Sequence, residues 1–305
     1  MDKSPDLSVS VAGLSLRNPV IAASGAFASG REYARIIDAG RLGGICSKGL
    51  TIKPRLGNTG ARIWETPSGL LNSIGLENPG VAAFIKDDLP FMRDLGPAAI
   101  ANLCGSTVED YEAGAFLLAE SDVDMVELNI SCPNVKAGGM AFGLDPKCAG
   151  EVVARARGAL GSKPLMAKLS PNAADIAAVA RACLDAGADA LSLVNTFKAM
   201  AFDLRSRRPV FENGTAGLSG PAIKPIALRM VWELRRDLGP DVPIVGMGGI
   251  ACASDALEFL MAGATALQVG TATFANPRAM LEIIDGIEAF MQAEGIKTVA
   301  EIALN

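Results

Sequence analysis

The chain has 305 residues, half of them hydrophobic, with a formal net charge of −5 and a pI near 5.0. That length holds two small domains or one large α/β domain. The charge gives no basic footprint for nucleic acid, and no apolar run reaches the roughly 18–20 residues of a membrane span. There is no histidine, which removes Ser-His-Asp and Cys-His nucleophiles, histidine metal sites and imidazole acid–base chemistry together.

The first residues, Met1-Asp2-Lys3-Ser4-Pro5-Asp6, lack a charged-then-apolar signal pattern, so the expectation is a cytoplasmic protein that neither spans nor binds a membrane. Six cysteines (Cys46, Cys104, Cys132, Cys148, Cys183 and Cys252) are scattered without a C-x-x-C pair. This suits a reducing compartment and argues against a zinc or iron–sulfur site within this chain. Short runs rich in Val, Ile, Leu and Ala then recur at Pro19–Ser24, Gly44–Lys48, Ala98–Leu103, Met125–Ser131, Leu165–Ser170, Ala190–Asn195, Pro243–Gly246 and Ala266–Gly270. Runs of this length suit parallel strands buried on both faces. Amphipathic segments such as Ala174–Ala186 and Ser254–Ala262 lie between them and stop at glycine.

Eight strands alternating with helices predict a (β/α)8 TIM barrel forming one domain over residues 1–305. Leu184-Asp185-Ala186-Gly187-Ala188-Asp189-Ala190-Leu191 echoes Leu260-Met261-Ala262-Gly263-Ala264-Thr265-Ala266-Leu267, as a repeated helix-to-strand unit would. A doubly wound open sheet is the rival fold, but no Gly-x-Gly-x-x-Gly follows the first strand. Thr51–Gly80, Pro133–Gly150 and Thr196–Pro225 interrupt the repeat, each after a strand's C-terminal end, where barrels carry their catalytic loops.

Glycines Gly246, Gly248, Gly249 and Gly270, with Thr271, follow strands seven and eight, where backbone amides of this fold grip phosphate. Lys48 and Lys168 end otherwise apolar runs. Such ammonium groups need an anion or an electron-rich acceptor beside them. Other strand ends and loops carry Asn72, Asn102, Asn129, Asn134, Asn172 and Asn195 with Thr196. Amides in this number suit a planar ligand with alternating C=O and N–H edges. Cys132 opens the loop after strand four. It is either a small buried hydrophobe or a general base, if cations lower its pKa from roughly 8.5.

Read together, these stretches resemble the family 1 dihydroorotate dehydrogenases, most of all the NAD-linked (class 1B) catalytic subunits. The resemblance is carried by Asn18-Pro19-Val20, Ser47-Lys48-Gly49, Asn72-Ser73-Ile74-Gly75-Leu76-Glu77-Asn78 and Asn129-Ile130-Ser131-Cys132-Pro133-Asn134. It continues through Lys168-Leu169-Ser170-Pro171-Asn172, Asn195-Thr196, Gly217-Leu218-Ser219-Gly220-Pro221, Gly246-Met247-Gly248-Gly249 and Gly270-Thr271. It implies one FMN per chain and oxidation of dihydroorotate to orotate in de novo pyrimidine (UMP) biosynthesis. Cys132 matches the catalytic base, with Lys48 and Lys168 as the other catalytic positions. Flavin-contacting positions match Ser24, Lys48, Gly49, Asn102, Asn129, Lys168, Val194, Gly220, Gly248, Gly249, Gly270 and Thr271. Orotate-contacting positions match Lys48, Asn72, Ser73, Ile74, Gly75, Leu76, Asn129, Asn195 and Thr196.

The membrane-associated class 2 enzymes place serine where this chain has Cys132 and carry an N-terminal extension. The class 1B resemblance further implies a separate electron-transfer subunit with FAD and a [2Fe-2S] cluster that passes electrons to NAD. The barrels would form the homodimer core of a heterotetramer. The alternatives are a fumarate-dependent (class 1A) enzyme, a dihydropyrimidine dehydrogenase-type flavin barrel, a Schiff-base aldolase using Lys168, and a phosphate-ligand binding barrel without turnover.

Overall fold

The computed structural model describes residues 4–131 and 142–304. Eight short parallel strands close into a barrel: β1 (Val20–Ala22), β2 (Gly44–Cys46), β3 (Ala98–Leu103), β4 (Met125–Asn129), β5 (Leu165–Lys168), β6 (Ala190–Leu193), β7 (Ile244–Met247) and β8 (Ala266–Val269). Each strand pairs with the next in sequence, and β8 returns to β1. This is the expected (β/α)8 architecture, and each strand falls on one of the eight apolar runs. Six strands stop one or two residues before their run does, because the chain leaves the ladder there: Ser24, Lys48, Asn195 and Gly270 turn onto the C-terminal face.

The apolar runs conceal two faces of different character. Residues such as Val126, Leu128, Leu165, Ala167, Leu191 and Leu267 point outward and pack with the helices. Their neighbours Ile21, Ile100, Met125, Met166, Val245 and Ala266 point inward. There they meet Val11 and Leu16 of a two-stranded hairpin, Val9–Val11 with Leu14–Leu16, which plugs the N-terminal end. Asn18 closes the same end, donating to Arg41 O at 2.7 Å and accepting from Val20 N at 3.1 Å. One motif of the resemblance, Asn18-Pro19-Val20, therefore lies at the end of the barrel opposite the C-terminal face.

The helices α1 (Val108–Ala119), α2 (Pro146–Leu160), α3 (Ile176–Asp185), α4 (Lys224–Leu238), α5 (Ala253–Met261) and α6 (Ala279–Glu294) surround the strands. Their starts are written locally. Thr107 and Asp110 form a reciprocal capping box at α1, while Asp145 and Asp175 accept the backbone amides of Cys148 and Ala178 at α2 and α3. The sequence echo is structural. Gly187 and Gly263 take φ of +102° and +96° at equivalent helix-to-strand turns. Arg157 of α2 donates to Gly187 O as Arg235 of α4 donates to Gly263 O, both at 2.9 Å. The α2-β5-α3-β6 segment and the α4-β7-α5-β8 segment thus reuse one joint.

The two long insertions are more ordered than irregular loops. Phe197–Ala199, Ala216–Ser219, Gly69–Asn72 and Ile63–Thr66 form, in that order, a four-stranded antiparallel sheet. It has a small core of its own at Leu71, Phe211 and Ala216. Each strand has three or four residues and the two central ones include glycine, so none is long enough to show an alternating pattern. The pairing between insertions more than a hundred residues apart stabilises them. The third insertion is shorter than its reading, since α2 begins at Pro146.

Candidate active site

At the C-terminal ends of the strands, with the four-stranded sheet as one wall, lies a cavity of about 1050 Å³. That is at the upper end of the size found for small-molecule sites. Its floor is polar, although it sits inside the barrel. Glu127, on β4, is fully buried. Its carboxylate accepts from Asn102 Nδ2 at 2.5 Å, Gln268 Nε2 at 2.6 Å, Ser192 Oγ at 2.8 Å and Cys46 Sγ at 3.3 Å. Lys168 Nζ stands 3.8 Å away. Burial pushes the Glu127 carboxyl up, but Lys168 and the Ser192, Gln268 and Asn102 hydrogen bonds together hold it below its ordinary value. The same surroundings push the Cys46 thiol well up, through burial first and the neighbouring carboxylate second. Among the described residues, one buried side-chain polar atom lacks a partner: Gln268 Oε1. Such an atom costs energy unless something else supplies a donor.

The rim beyond β7 and β8 is built for close approach. Gly248 and Gly249 have φ of +123° and +77°. A Cβ on Gly249 would lie 2.8 Å from Lys224 N and 2.9 Å from Gly220 O. Gly270 and Thr271 follow β8, and Thr271 Oγ1 lies 2.9 Å from Ser219 Oγ. Lys48 stands two residues past β2, which only β1 separates from β8. Burial lowers its pKa, Arg62 and Lys168 act in the same direction, and Cys104 and Glu77 oppose them. The neighbouring wall is the turn Asn72–Leu76, in which Gly75 and Leu76 adopt φ of +77° and +57°. Asn78 clamps that turn. Its Nδ2 donates to Leu76 O at 2.6 Å, and its Oδ1 accepts from Thr51 N at 3.0 Å and Gly80 N at 2.9 Å.

The positions matched to catalysis, flavin and orotate through the resemblance, where they lie among the described residues, all line this one cavity. The set comprises Ser24, Lys48, Gly49, Asn72, Ser73, Ile74, Gly75, Leu76, Asn102, Asn129, Lys168, Val194, Asn195, Thr196, Gly220, Gly248, Gly249, Gly270 and Thr271. Cys132 and Asn134 lie outside the described residues. Asn195 Nδ2 donates to Asn129 Oδ1 at 3.0 Å and Ser131 Oγ at 2.9 Å, which ties the end of β4 to that of β6. Asn172 does not line the cavity. It donates to Thr196 O at 3.1 Å and accepts from Lys198 N at 3.0 Å, holding the insertion behind Thr196.

Sequence reasoning passed over Glu127, Gln268 and Ser192. Strand parity could have found them, because side chains two apart share a face. Glu127 precedes inward Asn129 by two residues, and Gln268 precedes inward Gly270 by two.

Comparison with known proteins agrees with this geometry. The dihydroorotate dehydrogenase family model matches residues 6–291. A Petrotoga mobilis protein is 53% identical over 297 residues, covering 97% of this chain and 98% of its own. A Pelobacter propionicus protein is 54% identical over 299 residues, covering 98% and 97%. A Geotalea uraniireducens protein is 53% identical over 299 residues, with the same coverage. Each of the three is named dihydroorotate dehydrogenase B (NAD(+)), catalytic subunit. The chain belongs to the dihydroorotate dehydrogenase family.

Proposed function

We propose that the chain is the catalytic subunit of an NAD-linked dihydroorotate dehydrogenase, oxidising dihydroorotate to orotate in pyrimidine biosynthesis with FMN held in the cavity. One observation carries this reading: a glycine rim, an amide-and-lysine floor and a second lysine with its turn all face a single space. The donor set fits FMN. Gly249, whose positive φ and contact with Lys224 N and Gly220 O leave no place for a Cβ, brings bare backbone to the cavity wall, as a phosphate tail requires. The orphaned Gln268 Oε1 suits an N–H edge of a planar ring. When bound, FMN supplies a two-electron acceptor for the hydride leaving substrate C6.

The chain's own residues do the rest. Gly248, Gly249, Gly270 and Thr271 grip the phosphate, while Ser24, Gly49, Asn102, Asn129, Val194 and Gly220 border the remainder of the cofactor. Lys168 offsets the negative charge that accumulates at the ring's pyrimidine end on reduction. Lys48 neutralises the substrate carboxylate, and Asn72, Asn129, Asn195 and Thr196 hold the substrate ring in a reactive pose against the Ser73–Leu76 turn. Cys132 removes the proton from C5 as general base. Loss of that proton and of the C6 hydride leaves the C5=C6 double bond of orotate.

Electrons leave through a separate subunit carrying FAD and a [2Fe-2S] cluster, with two barrels at the core of the complex. The relatives' names as catalytic subunits support this. So does the absence from this sequence of a Gly-x-Gly-x-x-Gly after the first strand and of a C-x-x-C pair. Co-expression with such a subunit tests it. Dihydroorotate-dependent NADH formation should require the partner, whereas efficient fumarate reduction by the isolated chain would contradict the NAD-linked assignment.

A further inference from the structure

The barrel interior changes character abruptly between two layers of side chains. Below lie Ile100, Met125, Met166 and Val245, which are apolar. Directly above, five of the eight strands send one polar residue each to a common point: Asn102, Glu127, Lys168, Ser192 and Gln268. Glu127 is the hub, yet it does not line the cavity, whereas Asn102, Lys168 and Gln268 do. A carboxylate only accepts hydrogen bonds. Both amides must therefore give their N–H groups to Glu127, and their oxygens are left for other partners. Asn102 Oδ1 receives Cys104 Sγ at 3.5 Å, and Gln268 Oε1 receives nothing. Burying a carboxylate here is costly unless its surroundings are fully arranged around it, and this one has four donors and a cation.

We propose that Glu127 is a positioning residue that fixes the ligand-facing chemistry of the cofactor floor: it anchors Lys168 and turns the Asn102 and Gln268 amides so that acceptor oxygens meet the ligand's N–H edge. The inference rests on the FMN reading above. Substituting Glu127→Gln preserves shape but puts an N–H where a carboxylate oxygen received donors, so one of the amides must invert and present a donor upward. Losing one ligand hydrogen bond weakens FMN binding to the apo-protein by about ten-fold. It also leaves the charge of Lys168 without its counter-charge, so the reduction potential of bound flavin shifts upward. Glu127→Asp keeps the charge on a shorter arm. Its potential stays near wild type while its affinity falls, because the amides are no longer held.

The test titrates FMN into apo wild type, E127Q, E127D and S192A by fluorescence quenching and measures the potential by anaerobic dye equilibration. S192A removes one neutral donor and leaves the potential unchanged. Separation of affinity from potential between E127Q and E127D supports the assignment, and E127D alone carries the test if E127Q does not fold. Wild-type affinity in E127D, wild-type affinity and potential in E127Q, or an S192A potential displaced as far as that of E127Q overturns it. A wild-type chain that takes up no FMN sinks the cofactor reading as well, whereas variants indistinguishable from a flavin-loaded wild type sink only the role of Glu127.

Discussion

Replacing Gly249 by alanine separates backbone strain from crowding at the rim. Gly249 has φ of +77°, and an added methyl would meet Lys224 Cβ and Lys224 N at 2.8 Å and Gly220 O at 2.9 Å. Two of those atoms are backbone, so relief requires moving the start of α4 or the Ser219–Gly220 segment. The left-handed conformation costs an L-residue roughly 1–2 kcal/mol, and overpacking adds about 1–3 kcal/mol, giving about 2–5 kcal/mol in all. Gly295 is the control: it is left-handed, with φ of +70° and ψ of 21°, and a Cβ added there would meet nothing within 4 Å. Gly295→Ala should therefore lose only the strain, roughly 1–2 kcal/mol. The assay is urea denaturation of both variants with the visible flavin-to-protein absorbance ratio of each as purified. Gly249→Ala should be the less stable and carry little flavin, while Gly295→Ala keeps full occupancy. Equal destabilisation of the two would refute the crowding against Lys224 and Gly220, and full flavin on Gly249→Ala would refute the idea that this rim is shaped for close approach of a ligand.

Three further outcomes follow from the same groups. Cys132→Ala should still bind flavin and orotate but slow substrate-driven flavin reduction by about 10²–10⁴-fold, the usual contribution of a general base; stopped-flow reduction at the wild-type rate would remove Cys132 from the chemistry. Burial holds the Lys48 pKa below 10.5 in the free protein, so orotate affinity should fall as pH rises through that lowered value, and Lys48→Met should abolish this dependence in a titration series. The Glu127 carboxyl is held below 4.5 in the folded state, so its stabilising contribution is complete above that pH and is lost as pH falls through the folded value. Glu127→Gln should accordingly flatten the acid limb of a stability–pH profile, and an unchanged limb would show that the group does not titrate there.

The barrel was legible because its signals are local. Apolar runs mark the strands, and Gly187 and Gly263 mark equivalent helix-to-strand turns, whereas the helix caps at Thr107, Asp145 and Asp175 went unread. Much of the site was legible for a related reason: in a barrel, strand ends converge, so polar residues after apolar runs reach one cavity. The four-stranded sheet was not legible. Gly69–Asn72 and Ala216–Ser219 acquire extended structure only by pairing with each other, and short segments of that composition have no periodicity to read. Glu127 was hidden differently. A charged residue within an apolar run looks like an interruption until strand parity places it on the interior face with Asn129. Asn78, although inside a quoted motif, acts from behind the Asn72–Leu76 turn through side-chain hydrogen bonds to Leu76, Thr51 and Gly80. Those partners are brought together only by the folded insertion.

The most direct test of the proposed activity is to purify the chain, record its visible spectrum and add dihydroorotate in the absence of oxygen. The expected result is a flavin band that bleaches on addition and returns when an acceptor is supplied. A flavin band that dihydroorotate leaves unchanged would contradict the substrate assignment, and a chain that binds no FMN would contradict the reading of the cavity itself.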